Sequence, residues 1–382
     1  MHALPSPITI GRLAPLAARC HPPPLRYALL SPGLTTASRR ALSSSSSHGN
    51  VLTGKKTDEK SPLGPGSEGL HLKDMPQQAP PTPAAAKEIR GDWVLFHPVY
   101  TPEELRSVEV LHREAKTMSD KVAWLFVRLA RWGFDRVSGY KHKPMPANAD
   151  KMSVEELRKG GYLMDDSQWL RRVLFLETIA AVPGMVAAAL RHLRSLRLMR
   201  RDHGWIHTLL EEAENERMHL MTFMTLKKPS PFFRLMVLGA QGLFYNTFFL
   251  SYLISPRTCH RFVGHLEEEA VITYTRCIQE IEAGRIPEWT NMPAPEISKD
   301  YWRLAPDAKL LDVIYAVRSD ESTHRFVNHS LANLDYHTDI NPFALQEPDM
   351  SVKGSKICFE RDDSAKFVEE AHKKLDAPSE TK

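Results

Sequence analysis

Acidic residues are missing from the beginning of the sequence, where no aspartate or glutamate occurs before Asp58. The same stretch carries several arginines and a run of serines from Ser43 to Ser47. A basic, serine-rich segment without acids is typical of an organellar targeting peptide, and it lacks the unbroken apolar run of a secretory signal. We predict a mitochondrial transit peptide at 1–42 and a disordered linker, rich in Pro, Gly and Ser, at 43–90. The alternative for the first segment is a basic tail without fixed structure.

Cysteine is also scarce, and the four cysteines form no C-x-x-C pair, which argues against a zinc ribbon or a thioredoxin-type site. Such sparse usage fits a reducing or mitochondrial interior. The formal net charge of +4 is too small to indicate nucleic-acid binding, so no nucleic-acid partner is expected.

Long alternating runs of β-branched residues are absent, so we expect no strands and an all-α fold. Helical periodicity predicts six segments, at 118–140, 168–200, 204–227, 231–254, 257–284 and 305–335. Asp202 and the pair Pro306-Asp307 are predicted start signals for the third and sixth segments. We assign residues 91–335 to one domain, and the polar tail at 336–382 receives no role.

Glutamates and histidines interrupt the apolar faces of four of these segments. Two segments carry a Glu-x-x-His pair on the face expected to be buried, and two carry a single glutamate there. The spacing of three residues lets the glutamate and histidine of one helix reach the same ion. The positions are Glu177, Glu216 with His219, Glu267, and Glu321 with His324.

Burying four ionised carboxylates would be prohibitive without compensation, whereas two divalent cations would cancel their charge. Ferritin-like di-iron and di-manganese proteins use this ligand set. Two of their helices each supply one glutamate, and two others each supply a Glu-x-x-His pair. The alternative is a set of surface salt-bridge residues. A lone Glu-x-x-His carries little weight, since Glu109 with His112 and Glu369 with His372 repeat it in polar surroundings that we interpret as solvated faces.

The strings around these positions resemble the alternative oxidases over roughly residues 90–335. They are Leu176-Glu177-Thr178, Asn215-Glu216-Arg217-Met218-His219-Leu220, Leu266-Glu267-Glu268-Glu269-Ala270 and Arg318-Ser319-Asp320-Glu321 followed by His324. Ser319 stands where the family commonly has Ala, and Ser322-Thr323 where it has Ala-His. The resemblance implies a ferritin-like four-helix bundle whose two irons are bound by Glu177, Glu216, His219, Glu267, Glu321 and His324.

The resemblance also implies roles around the metals. Tyr274 would take part in electron transfer, although a buried tyrosine is at baseline only packing. Asn215 and Asp320 would orient the histidines, or be ordinary polar helix residues. The implied quinol pocket comprises Arg172, Leu176, Glu269, Ala270 and Thr273, and the alternative role for Arg172 is snorkelling to lipid head groups.

Two segments indicate a membrane. Leu235–Ile254 is uncharged and about long enough to span a membrane. The segment Val122–Tyr140 instead mixes aromatic residues with arginines, as in an interfacial helix. We expect both to lie in one leaflet. The alternative is that residues 235–254 form a buried core helix.

The expected activity is that of a cyanide-insensitive terminal oxidase, which oxidises ubiquinol and reduces O2 to water without pumping protons. We expect it as a homodimer on the matrix side of the mitochondrial inner membrane. The alternatives are another membrane-bound di-iron enzyme, such as a plastid-type quinol oxidase or a quinone hydroxylase, and a non-catalytic iron-binding membrane protein.

Overall fold

A computed structural model describes residues 98–138 and 143–376 of the 382-residue chain. The predicted transit peptide and linker therefore lie outside the described residues. The described residues belong to one structural unit. Helices dominate, and no β-strand forms within the two described ranges.

The chain forms the following α-helices in the described ranges. They are α1 (Pro102–Arg106), α2 (Met118–Ser138), α3 (Val154–Lys159), α4 (Asp166–Ala180), α5 (Val182–Leu198), α6 (Trp205–Leu226), α7 (Pro231–Ile254), α8 (Pro256–Glu282), α9 (Glu296–Trp302), α10 (Leu310–Leu331), α11 (Met350–Lys353) and α12 (Arg361–Asp376).

Four long helices, α4, α6, α8 and α10, form the central bundle. Helix α8 lies close against α10, where a Cβ on Gly264 would come within 2.5 Å of the His329 ring, so glycine permits this approach. Apolar residues from these helices pack into a core with Trp169, Phe223 and Ile278. The prediction of an all-α, ferritin-like four-helix bundle is confirmed.

The helix boundaries depart from the expected segments at two places. The segment predicted at 168–200 divides at Ala181 into α4 and α5, because Pro183 has no amide hydrogen to donate to the carbonyl of Ile179. The pair Pro306-Asp307 forms a turn, and α10 begins only at Leu310. Asp202 behaves as expected, since its carboxylate accepts a hydrogen bond from the amide of Ile206 in α6.

Two helices expose apolar side chains on the outside of the bundle. Helix α2 packs on α8, yet leaves Leu125, Phe126 and Trp132 between 53% and 68% exposed. Helix α7 packs on α4 and α5, and Phe232 and Leu243 are 70% and 74% exposed. By length and composition, the stretches Asp166–Leu198 and Pro231–Ile254 could each cross a membrane. The first lies partly inside the bundle, whereas most of α7 lies outside it.

Residues 336–376 are folded against the bundle, although their polar composition gave no reason to expect it. Phe343, Met350 and Phe359 are buried. Phe326 of α10 packs edge-on against Phe359, with ring centroids 4.9 Å apart. The segment thus completes the apolar core at one end of α10.

Candidate metal centre

The four bundle helices bring all six predicted ligands together in the interior. Each helix contributes one glutamate, and α6 and α10 each add a histidine one turn later. Every one of these side chains is buried, and His219 is completely inaccessible. They are Glu177 of α4, Glu216 and His219 of α6, Glu267 of α8, and Glu321 and His324 of α10.

The six residues form two overlapping groups that could each hold a metal ion. One group combines Glu177 and His219 with Glu216 and Glu321, and the other combines Glu267 and His324 with the same two glutamates. Within each group, one ligand atom per residue lies within 4.8 Å of the others. Glu216 and Glu321 therefore belong to both groups, and each remaining glutamate–histidine pair belongs to one.

Several ligand atoms in this cavity have no hydrogen-bond partner. Nδ1 of His219 lies 3.4 Å from Glu216, 3.4 Å from Glu321 and 3.5 Å from Glu177. Nδ1 of His324 lies 2.7 Å from Glu216 Oε1. The angles of these contacts are poor, so both nitrogens, both Glu216 oxygens and Glu177 Oε2 are buried without a well-directed hydrogen bond. Unpaired buried polar atoms are costly, so a cluster of them that converges on one cavity fits bound metal ions.

The electrostatics of the cluster also favour bound cations. The pKa of Glu177 is raised to about 8, chiefly by burial and also by the neighbouring Glu216 and Glu321, against the opposing effect of His219. Burial and the neighbouring Glu321 also raise the pKa of Glu267. Burial opposes protonation of His324, but the carboxylate of Glu216 raises its pKa to about 9. Without cations, protons would have to neutralise this cavity, and divalent ions can replace them.

Asp320 fixes the orientation of His219 from outside the cluster. Its Oδ2 accepts hydrogen bonds from His219 Nε2 at 2.9 Å, Trp302 Nε1 at 2.8 Å and Asn215 Nδ2 at 2.9 Å. The Tyr100 hydroxyl donates to Oδ1. A carboxylate only accepts, so the proton of a neutral His219 lies on Nε2 and the Nδ1 lone pair faces the glutamates. Of the two residues predicted to orient the histidines, Asp320 bonds His219 directly, and Asn215 donates to Asp320 and to the Tyr301 hydroxyl.

Tyr274 is buried beside the cluster. Its hydroxyl donates a hydrogen bond to Glu177 Oε1, and its ring stacks on Phe223 at a centroid distance of 6.4 Å. Burial and the charge of Glu177 raise its pKa, so the phenol stays protonated. It is therefore a neutral hydrogen donor in contact with a candidate ligand.

The predicted quinol-pocket residues lie on α4 and α8. Arg172 is buried, with its guanidinium 3.1 Å from Asp135 Oδ1 and 4.8 Å from the centre of the Phe134 ring. It does not snorkel outward. The half-buried Glu269 pairs with Arg131, and the Thr273 hydroxyl donates to the Glu269 carbonyl at 2.7 Å. Leu176 and Ala270 are half-buried on the same two helices.

Arg131 and Asp135 of α2 were missed as functional candidates. They pair with one another at 3.1 Å and link Glu269 to Arg172, so a chain of alternating charges joins α8, α2 and α4. Their spacing of four residues on an amphipathic helix was a signal for their mutual pairing. Nothing in the local sequence indicated the partners on α4 and α8.

The three consecutive glutamates of α8 point to three different surroundings. Glu267 enters the metal cluster and Glu269 pairs with Arg131. Glu268 accepts from His265 and His329, and from His112 at 2.5 Å. His112 is 57% exposed, as its predicted solvated surroundings require, but residues 107–116 are not helical and its ring also contacts this buried carboxylate.

A helical bundle that buries two overlapping groups of glutamates and histidines is typical of the ferritin-like metal-carboxylate proteins. The family model for the alternative oxidases matches residues 100–333. A mitochondrial alternative oxidase of Cryptococcus neoformans is 55% identical over 320 residues, which cover 83% of this chain and 79% of that protein. The chain belongs to the alternative oxidase family. Two further mitochondrial alternative oxidases are also similar. That of Emericella nidulans is 56% identical over 274 residues, which cover 71% of this chain and 74% of the relative. That of Yarrowia lipolytica is 53% identical over 253 residues, which cover 66% of this chain and 69% of the relative.

Proposed function

We propose that this protein is a cyanide-insensitive terminal oxidase that uses two irons to oxidise ubiquinol and reduce O2 to water, without pumping protons. The observation that carries the proposal is the pair of overlapping ligand sets that share Glu216 and Glu321. The reaction balances when two quinols yield two quinones and their four hydrogens convert one O2 to two waters.

The buried cluster is proposed to hold the irons. Glu177 and His219 would serve one ion, Glu267 and His324 the other, and the two shared glutamates would face both. Carboxylate and imidazole ligands with open positions suit iron that must bind oxygen, and a bound iron pair would supply the redox chemistry. The chain itself holds His219 in one tautomer through Asp320 and keeps the Tyr274 phenol protonated.

The quinol is proposed to bind beside α4 and α8, against Arg172, Leu176, Glu269, Ala270 and Thr273. Tyr274 follows Thr273 directly in α8, and its hydroxyl donates to Glu177. Its hydroxyl is therefore placed to give a proton to Glu177 Oε1, and Tyr274 would be the residue that relays an electron from quinol to the bound irons. The ion pairs of Arg131 and Asp135 hold the charged side chains of this wall in place.

We infer that α2 and α7 lie in one leaflet of the mitochondrial inner membrane on its matrix side, since both expose large apolar side chains outside the bundle. This position would let a lipid-soluble quinol enter from the bilayer. A protein confined to one leaflet offers no protein route for protons across it, which supports oxidation without pumping. Curated relatives carry the word mitochondrial in their names.

A homodimer is proposed as well. Leu193 and Leu196 of α5 are 49% and 61% exposed, which is an apolar surface that a second copy could cover. Sedimentation of the detergent-solubilised protein would show a dimer, which polar substitutions at these two leucines should dissociate.

Oxygen uptake by purified protein given ubiquinol and cyanide tests the activity. Uptake with water as the sole oxygen product supports the oxidase, an oxygenated ring would instead identify a hydroxylase, and no uptake would leave a non-catalytic iron protein. Glu177→Ala should lose iron and uptake. Glu369→Ala, at a 67% exposed side chain on α12, is the matched control. Retained cyanide-insensitive oxidation in a folded Glu177→Ala protein would refute the site.

A further inference from the structure

Two cationic side chains close to the beginning of α7 share a single neutral oxygen. Arg171 of α4 donates a hydrogen bond to the Ser167 hydroxyl at 3.3 Å, and Lys227, which caps the end of α6, donates to the same oxygen. Within residues 98–138 and 143–376, neither cation forms an ion pair with an acidic side chain. Two like charges in one place repel each other, so an anion between them would be attracted by both.

The acids nearest to this pair in the sequence do not neutralise it. Asp165 caps α4, where its carboxylate accepts a hydrogen bond from the Gln168 amide at 2.7 Å. Asp166 forms no ion pair with Arg171 or Lys227. Because the Ser167 hydroxyl carries no charge, the positive charges of both cations stay uncompensated at this junction of α4 and α6.

The beginning of α7 adds positive potential next to Lys227. Ser230 caps this helix by accepting a hydrogen bond from the Phe233 amide at 3.2 Å, and Pro231 follows as its first residue. Its first turn contains no acid, and Arg234 is exposed at the fourth position of the helix. The N-terminus of a helix carries a partial positive charge, so the dipole and the side chains together favour an anionic group such as a phosphate.

Large apolar side chains continue from this basic region along α7. Phe232, Leu235 and Leu238 are 70%, 65% and 67% exposed, and no aspartate or glutamate occurs anywhere in α7. The Phe233 ring packs edge-on against Phe175 of α4, with ring centroids 6.2 Å apart, so the first turn of α7 lies directly beside α4. A free phosphate ion would leave the apolar side chains exposed to water, whereas the acyl chains of a lipid would cover them.

We propose that Arg171, Lys227 and the Ser167 hydroxyl bind the phosphate group of an anionic phospholipid whose acyl chains lie along α7. This inference rests on the proposed attachment of α7 to a membrane and adds a preference for one kind of headgroup. The guanidinium and the ammonium group pair with phosphate oxygens, and the hydroxyl donates a hydrogen bond to one of them. The bound phosphate holds the beginning of α7 at the level of the lipid headgroups.

Transfer of the iron-loaded protein from dilute detergent to lipid vesicles tests this site. Vesicles of phosphatidylcholine alone measure apolar attachment, and vesicles in which about one-fifth of the lipid is phosphatidylglycerol add the anionic headgroup. A basic side chain near an anionic surface contributes about fivefold in affinity, so Arg171→Gln combined with Lys227→Gln should weaken binding to the anionic vesicles by roughly 25-fold. Binding to phosphatidylcholine should not change, because glutamine can still donate to Ser167 and the apolar surface is unaltered.

The matched control is Lys366→Gln combined with Lys374→Gln, which removes the same charge from exposed side chains of α12. It should bind both kinds of vesicle almost as the unaltered protein does. Equal losses in the two double variants would show that net charge alone attracts the protein, and they would overturn the site.

Calorimetric titration of the detergent-solubilised protein with soluble dioctanoyl phosphatidylglycerol supplies the independent measurement. We expect one lipid per chain, and no such binding in the variant that lacks Arg171 and Lys227. Equal affinity for inorganic phosphate would make a free ion the ligand, and equal affinity for dioctanoyl phosphatidylcholine would remove the charge preference; either result overturns the proposal. A protein that binds no vesicle at all would refute the membrane attachment together with this site, whereas loss of the anionic preference alone refutes only the site.

Discussion

Asp320 offers the sharpest test of how the bundle prepares its metal cavity. The carboxylate is 2% exposed and accepts four hydrogen bonds. Three reach Oδ2, from His219, Trp302 and Asn215, and one reaches Oδ1, from the Tyr100 hydroxyl. The side chain thus holds a candidate metal ligand without contributing to the cluster of ligands itself.

Asp320→Asn should preserve the fold and weaken metal binding. The new amide group can occupy the Oδ1 position, where the Tyr100 hydroxyl can turn to accept from it. The remaining oxygen keeps its three donors, but the negative charge that polarises His219 is lost. Partners of this kind are worth about 10–100-fold in metal affinity, which corresponds to roughly 1.4–2.7 kcal/mol.

Asp320→Ala should act differently, because it leaves three buried N–H groups on His219, Trp302 and Asn215 without their acceptor. Each such group costs about 1–3 kcal/mol, so the metal-free protein should lose several kcal/mol of stability. The two substitutions therefore separate metal affinity from folding.

The assay is iron per chain after dialysis against chelators of graded strength, together with thermal unfolding of the metal-free protein. Asp300→Asn removes an exposed carboxylate from α9 and serves as the control for lost charge. If Asp320→Asn retained iron as tightly as this control, or if Asp320→Ala unfolded at the unaltered temperature, the assigned role of Asp320 would be wrong.

Three further substitutions probe the scaffold. Gly264→Ala should lower the free energy of unfolding in urea by about 1–3 kcal/mol, because its Cβ would meet His329 at 2.5 Å. The control Gly242→Ala, whose Cβ would have nothing within 4 Å, should be neutral or slightly stabilising. Equal effects of the two substitutions would contradict the close packing of α8 on α10. Burial alone would raise the pKa of Asp120, but the Thr117 amide and Arg261 outweigh it and lower the pKa from 3.8 to about 2. This carboxylate therefore stabilises the fold by about 2 kcal/mol above pH 4, and the contribution fades as the pH falls toward 2. Asp120→Asn should lose this stability at pH 7, and in acid its stability should approach that of the unaltered protein. A loss of stability that does not change with pH would refute the ion pair. Phe359→Ala should cost about 3–5 kcal/mol in thermal or urea unfolding if the segment after 335 belongs to the core, and an unchanged midpoint would show that it does not.

The bundle and the ligand cluster could be predicted because both follow from local periodicity. Glu216 and His219 share a helix face with apolar neighbours, and a polar residue on such a face needs a reason that the sequence itself supplies. The four negative charges of the buried carboxylates then predicted two divalent cations. The same periodicity could not show Asp320 reaching across to His219, since hydrogen bonds between helices depend on how the helices are rotated against one another.

Long-range contacts account for what could not be predicted. The pairing of Glu269 with Arg131 spans 138 positions of the chain, and that of Arg113 with Glu360 spans 247. The segment after 335 looked featureless because Phe343 and Phe359 are isolated among polar residues, without a repeat to mark a buried face. Phe343 and Phe359 are buried because they pack against the end of α10, and no pattern within the segment itself indicates this contact.

The three consecutive glutamates of α8 show how strictly rotation matters in this fold. Successive residues on a helix are turned by about 100°, so Glu267, Glu268 and Glu269 cannot share one environment. The structure gives them the metal cluster, the histidine group with His112 and the ion pair with Arg131. A slip of α8 by one residue would put a wrong side chain into all three surroundings at once. The buried packing of α8 against α10 therefore sets the chemistry of three separate places, and a substitution that loosens it should disturb them together.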